Sequence, residues 1–179
     1  MKRYIALLRG INVSGKNKIA MSELKAGFVE LGYIEVSTHL NSGNVIFSCD
    51  TDDRTVLSSA VKVMINNKFE LDIPIFIILQ QELEDILNHA PDWWGDNNKE
   101  IYDNLIFLFP PLSYGEFYNE VGNPKEKYEK VHNYKNAIFW SFSRKDYQKT
   151  NWWRETASSN VSKKITIRTA NTVRKIVGI

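Results

Sequence analysis

The stretch YIALLRGINVSGKNKIAMSELK, residues 4–25, decides the fold because it predicts a strand, a loop and a helix in succession. Its first residues form a continuous apolar run before a glycine, which is typical of a strand buried on both faces. Met21, Leu24 and Phe28 then recur at helical spacing, and Gly32 stands where helices commonly end. The chain therefore begins as β-loop-α.

The next segments predict a hairpin, a second helix and a fourth strand. The hairpin covers 35–49 around NSG, because Asn and Gly tolerate positive φ. TDDRTVLSSAVKVMINNKF, 51–69, predicts a helix with Thr and Asp as caps, and IPIFIIL, 73–79, predicts a buried strand. The order β-α-β-β-α-β is the ferredoxin-like pattern, an antiparallel sheet with two helices on one face. The apolar stripe predicted for the second helix is Val56, Ala60, Val63 and Met64.

The second half predicts the order α-β-α-β-β-α-α. It includes a hairpin of EKYEKVH and NAIFWSF, and a C-terminal helix over TIRTANTVRKIVGI, residues 166–179. We therefore predict an α+β protein of two ferredoxin-like (split βαβ) subdomains with antiparallel sheets. They cover residues 1–80 and 81–179, the second being a rearranged or incomplete copy that ends in a basic helix.

The composition indicates an ordinary globular protein, with 43% hydrophobic and 25% charged residues among 179. No apolar run approaches the ~20 residues of a membrane span, and the N-terminal run is too short for a signal peptide. Cys49 is the single cysteine, which excludes an internal disulfide and a multi-cysteine metal site. We expect a cytoplasmic protein with no membrane partner. The sequence leaves the oligomeric state open.

Charge is unevenly spread, with a net −6 over residues 81–140 and +7 over residues 141–179. One interpretation is two solvated faces that attract each other within the fold. The other is a C-terminal segment that binds anions.

Gly10–Lys16 fits the pattern G-x-x-x-x-G-K of a phosphate-binding P-loop. The next residue should be Ser or Thr to hold magnesium, but it is Asn17. The helix also begins late, near Met21, whereas a P-loop helix begins at the lysine. We therefore reject a magnesium–nucleotide site and expect no cofactor or metal.

The loop from Arg9 to Lys18 is nevertheless rich in hydrogen-bond donors and contains no carboxylate. Such a loop binds an anion through its cations and backbone amides, or else its side chains only satisfy its own backbone. Both interpretations stay open at this point. The donor side chains are Arg9, Asn12, Ser14, Lys16, Asn17 and Lys18.

Other chemistries have weaker signals. His39, His89 and His132 are far apart in the sequence and lack metal-ligand spacing, and no G-x-S-x-G nucleophile motif occurs. Trp152–Trp153 stand among lysines and arginines, which suits single-stranded nucleic acid or, alternatively, a helix anchored in the core. The RNA-binding signature of RRM domains is absent.

YIALLRGINVSGKNKIAMSELK, STHLNSGNVIF and TIRTANTVRKI together resemble the bacterial family of unknown function called DUF1697. The resemblance is strongest in residues 3–48 and extends over nearly the whole chain. It implies a cytosolic protein of two ferredoxin-like parts without an assigned reaction. This sequence departs from the family pattern at Ser14, where glycine is usual, and at Thr169–Ala170, where Asn-Trp is usual.

The resemblance and the loop composition together give a set of candidate ligand-binding residues. We expect Arg9, Lys16 and Arg168 to supply charge and to converge on one surface. The predicted topology does not require the first loop and the SGN hairpin to lie at the same end of the sheet. The full set is Arg9, Gly10, Asn12, Gly15, Lys16, Asn17, Ser42, Gly43, Asn44, Arg168, Asn171 and Thr172.

The sequence thus favours a binding module for a phosphate-bearing or other anionic ligand, either a small molecule or nucleic acid. One alternative is a small-molecule enzyme that uses the same loop as an anion clamp. Another is an RNA-binding or protein-interaction module, the latter through the acidic, aromatic segment around Trp93–Trp94. No residue is identified as catalytic, and whether the protein is an enzyme stays open.

Overall fold

The computed structural model describes all 179 residues, which form two compact units. The first unit comprises Met1–Glu84 and Ile176–Ile179, and the second comprises Asp85–Lys175. The sequence placed the boundary after residue 80. The last four residues belong to the first unit, where Arg3 Nη2 donates to the carbonyl of Ile179 across 3.2 Å. None of the helices has the length and apolar character needed to cross a membrane.

The first unit has the predicted β-α-β-β-α-β order and forms a four-stranded antiparallel sheet. The strands are arranged β2-β3-β1-β4, and a further helix, α3, follows the last strand and contains the boundary between Glu84 and Asp85. The elements are β1 (Lys2–Leu8), α1 (Met21–Glu30), β2 (Ile34–His39), β3 (Asn44–Cys49), α2 (Arg54–Phe69), β4 (Ile75–Leu79) and α3 (Gln80–Asn88).

Both helices of the first unit pack on one face of its sheet. Tyr4, Ala6 and Leu8 of β1 share a core with Leu24 and Phe28 of α1, as the helical spacing predicted. Alternate residues of β1 also lack solvent contact, so this strand is buried on both faces as expected.

The apolar stripe predicted for α2 is wrong by about one residue. Val56 and Val63 are more than half exposed, and only Met64 of the predicted set is buried. The helix carries apolar residues around most of its circumference, so periodicity alone did not separate its two faces. The residues that face the core are Leu57, Val61, Met64 and Ile65.

The second unit repeats the strand arrangement of the first, in the order β6-β7-β5-β8. The sequence predicted a helix over residues 166–179, but Ile165–Thr169 form a strand that pairs with β5. This strand completes a β-α-β-β-α-β order. The elements are β5 (Ile101–Leu108), α4 (Tyr114–Val121), β6 (Glu129–Tyr134), β7 (Ala137–Ser143), α5 (Trp152–Ser158), β8 (Ile165–Thr169) and α6 (Ala170–Val177).

A buried carboxylate organises the core of the second unit. Glu129 is 3% exposed and accepts hydrogen bonds from Trp140 Nε1 at 3.0 Å and from the backbone amides of Lys125 and Asn151 at 2.9 and 2.7 Å. It also contacts the amide of Trp152 at the start of α5. One charge therefore satisfies donors from β7, a loop and a helix N-terminus.

Candidate functional site

The loop after β1, residues Arg9–Lys18, is here called the basic loop. Its backbone is tightly turned, with positive φ at Gly10, Asn12, Ser14, Gly15 and Asn17. Asn12 N donates to the carbonyl of Asn17 at 3.1 Å, and Lys16 N donates to that of Val13 at 2.9 Å. Gly and Asn suit this backbone because they adopt left-handed conformations at low cost.

The basic loop and the SGN turn lie at the same end of the first sheet. Leu7 is paired with Asn44 across the β1–β3 ladder, and Leu8 N donates to the carbonyl of Gly43 at 2.8 Å. Asn12 Nδ2 reaches the carbonyl of Asn41 at 2.9 Å. The antiparallel pairing therefore brings two of the segments predicted to bind a ligand, the basic loop and the SGN turn, close together.

The predicted asparagines hold this end of the unit in shape. Asn12 donates from Nδ2 to the carbonyls of Ile19 and Asn41, and its Oδ1 accepts from Ile19 N. Asn17 Nδ2 donates to the carbonyl of Gly10 at 2.9 Å. Asn44 is fully buried and donates to the carbonyl of His39 and to Ser42 Oγ. Both amide hydrogens of Asn12 and of Asn44 are thus engaged within the chain, and one of those of Asn17 is.

The cationic side chains of the basic loop are not paired with carboxylates and are therefore available to a ligand. Arg9, Lys16 and Lys18 form no ion pair, although ten other pairs occur in the chain. Partial burial lowers the pKa of Arg9 because desolvation disfavours the charged guanidinium. An anion next to Arg9 would offset that desolvation.

A cavity of about 430 Å³ opens beside the basic loop and the start of α1. Lys18 and Gly15 line it together with Ala20 and Met21. Ala20 is the N-cap residue of α1 and offers no side-chain acceptor, and the first helical bond is from Leu24 N to the carbonyl of Ala20. The amides of the first turn thus have no partner within the chain.

This helix start and Asn41 were not among the predicted site residues. The signal for the helix start was in the sequence, since Ala20–Met21 lacks the Ser, Thr, Asp or Asn that usually caps a helix. No signal marked Asn41, because it contributes its backbone carbonyl.

The geometry of the basic loop differs from that of a P-loop. Lys16 forms a bridge with Val13, and the helix begins only at Met21, so the lysine does not stand at the helix N-terminus. No group of three or more His, Cys, Asp and Glu side chains is arranged to hold a metal ion.

The remaining predicted residues belong to the second unit. Arg168 lies on β8, where its Nη1 donates to Thr166 Oγ1 and to the carbonyl of Ile167, each at 2.9 Å. Burial lowers the pKa of Arg168 to about 10. Asn171 is exposed in the first turn of α6, whereas Thr172 is buried with its Oγ1 3.0 Å from Thr169 Oγ1.

A larger groove in the first unit has different chemistry. It lies between α1 and α2, has a volume of about 860 Å³ and is lined by apolar side chains such as Val56, Val63 and Met64. Its size exceeds that of the cavity at the basic loop, but Lys68, its one cation, is paired with Glu30. We do not place the anion site there.

Trp94, Trp152 and His89 form hydrogen bonds within the chain. Trp94 is buried and donates from Nε1 to the carbonyl of Asn104, and Trp152 is buried and donates to that of Gly122. Trp153 remains 43% exposed but packs edge-on against Tyr147. His89 Nδ1 donates to the carbonyl of Asp85 at 2.8 Å.

Comparison with known proteins supplies a family and a fold. The family described as DUF1697, protein of unknown function, matches residues 1–139. The solved structure of the conserved bacterial protein SP0830 from Streptococcus pneumoniae is similar, with 29% identity and a TM-score of 0.85. That similarity covers 99% of this chain and 97% of the other. No curated protein matches the chain significantly in sequence.

Proposed function

Since the chain belongs to the DUF1697 family, whose function is unknown, we propose a function from the site itself: the protein binds a phosphate-bearing or other anionic ligand at the basic loop. The observation that carries this proposal is that Lys18 and the uncapped start of α1 line one cavity.

Two sources of positive potential support the proposal. Unbonded amides and the helix dipole favour an anion at the first turn of α1. Lys18 adds a full charge beside them, and Gly15 presents backbone without a side chain. Glu23 is the one acidic residue of that turn, and it is exposed. Lys18 lines the cavity, whereas Glu23 does not.

The cavity volume of about 430 Å³ falls within the ~300–1,000 Å³ of small-molecule sites. A sugar phosphate or a similar metabolite therefore suits it. Nucleic acid is the other anion that the sequence suggested, and it would add phosphate contacts outside the cavity. Counterion release makes such binding strongly dependent on salt, which distinguishes the two ligands.

Thermal-shift and calorimetric titrations with pyrophosphate, ribose 5-phosphate and a short single-stranded RNA test the proposal. A ligand at ~100 times its dissociation constant should stabilise the fold by about 2.7 kcal/mol. Lys18→Ala should weaken binding about tenfold or more, because a charge-assisted contact contributes ~1.5–3 kcal/mol. Lys25→Ala is the matched control, since Lys25 is exposed on α1 and does not line the cavity.

The proposal fails if none of these compounds shifts the melting temperature, or if Lys18→Ala and Lys25→Ala bind alike. The enzyme alternative and the convergence of Arg168 with the basic loop stay predictions.

A further inference from the structure

A small polar cavity of about 190 Å³ lies within the second unit. It is lined by the turn that follows Trp94, by the first residues of β5, by Arg144 and by the start of α6. None of the residues predicted to carry charge lines it. Its volume is below the ~300 Å³ at which drug-sized sites begin, so only a small ligand fits.

Asp103 is the buried group of this cavity. Only 9% of it is exposed, and its Oδ1 accepts a hydrogen bond from Ser141 Oγ. Oδ2 has no hydrogen-bond partner among the 179 residues described. Oδ2 keeps some contact with solvent, so it is open to a ligand in the cavity.

The pairing of the strands places the Asp103 side chain on the cavity side of the sheet. Asp103 stands opposite Ser141, and Phe139 lies two residues before Ser141 on the same face. Trp94 packs edge-on against Phe139 with ring centroids 5.0 Å apart. The turn after Trp94, which lines the cavity, therefore covers the face that carries Asp103.

Arg144 provides the opposite charge at the cavity rim. Its guanidinium lies 3.7 Å from the centroid of the Tyr102 ring and forms no ion pair. Stacking on an aromatic ring fixes the guanidinium plane while leaving its edge free to bind a carboxylate with two hydrogen bonds. Lys99 lines the same cavity, is exposed and also forms no ion pair.

Charges of both signs therefore line one cavity without pairing with each other. From this we infer that the cavity binds a small zwitterion, such as an α-amino acid, whose ammonium contacts Asp103 and whose carboxylate contacts Arg144. A ligand with both charges satisfies both groups, whereas a simple anion leaves Asp103 unpaired and is repelled by it. Asn171, the exposed residue in the first turn of α6, also lines the cavity. This inference is independent of the proposed function, because it concerns another unit and another ligand chemistry.

Isothermal titration calorimetry of the full chain with glycine, L-alanine and L-serine tests the inference. Acetate and ethylamine serve as probes that carry one charge each. At least one zwitterion should bind, and each single-charge probe should bind about tenfold more weakly or worse, since each lacks one charged contact.

Two variants with matched controls identify the site. Arg144→Ala and Asp103→Asn should each weaken zwitterion binding by about tenfold or more. Lys145→Ala and Asp92→Asn change exposed residues of the same charge outside the cavity and should bind like the wild type. Circular dichroism checks that Asp103→Asn folds, and if it does not, the exposed Arg144→Ala carries the test alone.

The inference is overturned if no zwitterion binds, if acetate binds as tightly as the amino acids, or if Arg144→Ala leaves the affinity unchanged. Unchanged affinity in a folded Asp103→Asn protein overturns it equally. None of these results bears on phosphate binding at the basic loop.

Discussion

Asn12 is joined to Asn41 by a hydrogen bond of 2.9 Å from its amide Nδ2 to the backbone carbonyl. The same side chain exchanges two bonds with Ile19, so it connects the basic loop, the approach to α1 and the turn between β2 and β3. Its amide hydrogens and an oxygen lone pair are thereby used within the chain. The shape of the candidate site depends on this residue.

Replacing Asn12 should loosen the loop and lower stability. Asn12→Ala removes three hydrogen bonds and places alanine at φ 53°, so we expect a loss of about 2–4 kcal/mol from the free energy of unfolding in urea. Asn12→Gly tolerates the same φ and isolates the hydrogen bonds. A glycine variant as stable as the wild type would contradict the role assigned to the amide.

Gly43 should resist substitution more than a glycine in open space. A Cβ atom there would lie 2.7 Å from Leu8 Cβ and 2.8 Å from Ile11 Cδ1, at φ 78°. Gly43→Ala should lower the free energy of unfolding by about 2–5 kcal/mol, because it combines a strained left-handed backbone with overpacking. Gly32→Ala is the control, because Gly32 has φ 84° and no atom within 4 Å, so only the backbone cost of ~1–2 kcal/mol applies. Equal losses in urea unfolding would refute the steric account.

Glu129 should be required as a carboxylate. Glu129→Gln turns an amide group toward Trp140 Nε1 and the backbone amides that the carboxylate now accepts from. We expect a loss of about 2–3 kcal/mol in chemical unfolding, since charge-assisted bonds are replaced and a donor meets donors. Glu126→Gln changes an exposed neighbour and should leave stability unchanged. Similar stabilities of the two variants would mean that the charge contributes nothing.

Asp85 should titrate below its ordinary range because of Lys135. The Lys135 ammonium donates to the Asp85 carboxylate and, with a weaker contribution from Tyr134, lowers the pKa of that carboxyl group. A depressed pKa in the folded state means that this contact stabilises the fold above the unfolded pKa of about 3.9, and that the contribution is lost as pH falls. Lys135→Gln should therefore raise the pKa of Asp85, measured by carboxyl NMR.

A second pair provides the control for that titration. Lys149 lowers the pKa of Asp146 in the same way. Lys149→Gln should raise the pKa of Asp146 and leave that of Asp85 in place. A pKa of Asp85 that does not respond to Lys135→Gln would assign the shift to another cause.

The fold of the first unit was readable from the sequence because its signals are local. Continuous apolar strands, Asp53 as a helix cap and the Asn-Ser-Gly turn each specify their own element. The sequence left open whether the basic loop lies beside that turn, and the strand pairing in the structure decides it. An antiparallel β1–β3 pair places the end of one strand beside the start of the other.

Strand β8 and the core face of α2 were not readable in the same way. Ile165–Thr169 runs directly into α6 without a Gly or Pro, so the helical pattern of Val173 and Ile176 extended backward over it. The alternation of Ile165 and Ile167 was the available strand signal. For α2, Val56 and Val63 are apolar but exposed, and only tertiary packing distinguishes them from Leu57 and Val61.

The sequence predicted where the candidate site lies better than it predicted which side-chain groups face a ligand. The glycines and cations of the basic loop were visible, but the sequence does not state whether an Asn amide faces a ligand or the backbone. Asn12 and Asn44 use their amide hydrogens within the chain. Asp103 and Arg144 lie far apart in the sequence, and only the β5–β7 pairing explains why they line one cavity.

The most direct measurement of the central claim is a ¹H–¹⁵N NMR titration of the protein with pyrophosphate. Binding at the basic loop predicts saturable shifts of the amides of Met21, Ser22 and Gly15, which lie at or beside the cavity, with about tenfold weaker affinity in Lys18→Ala. If these amides stay unchanged at millimolar pyrophosphate, or shift alike in wild type and Lys18→Ala, the basic loop is not an anion-binding site.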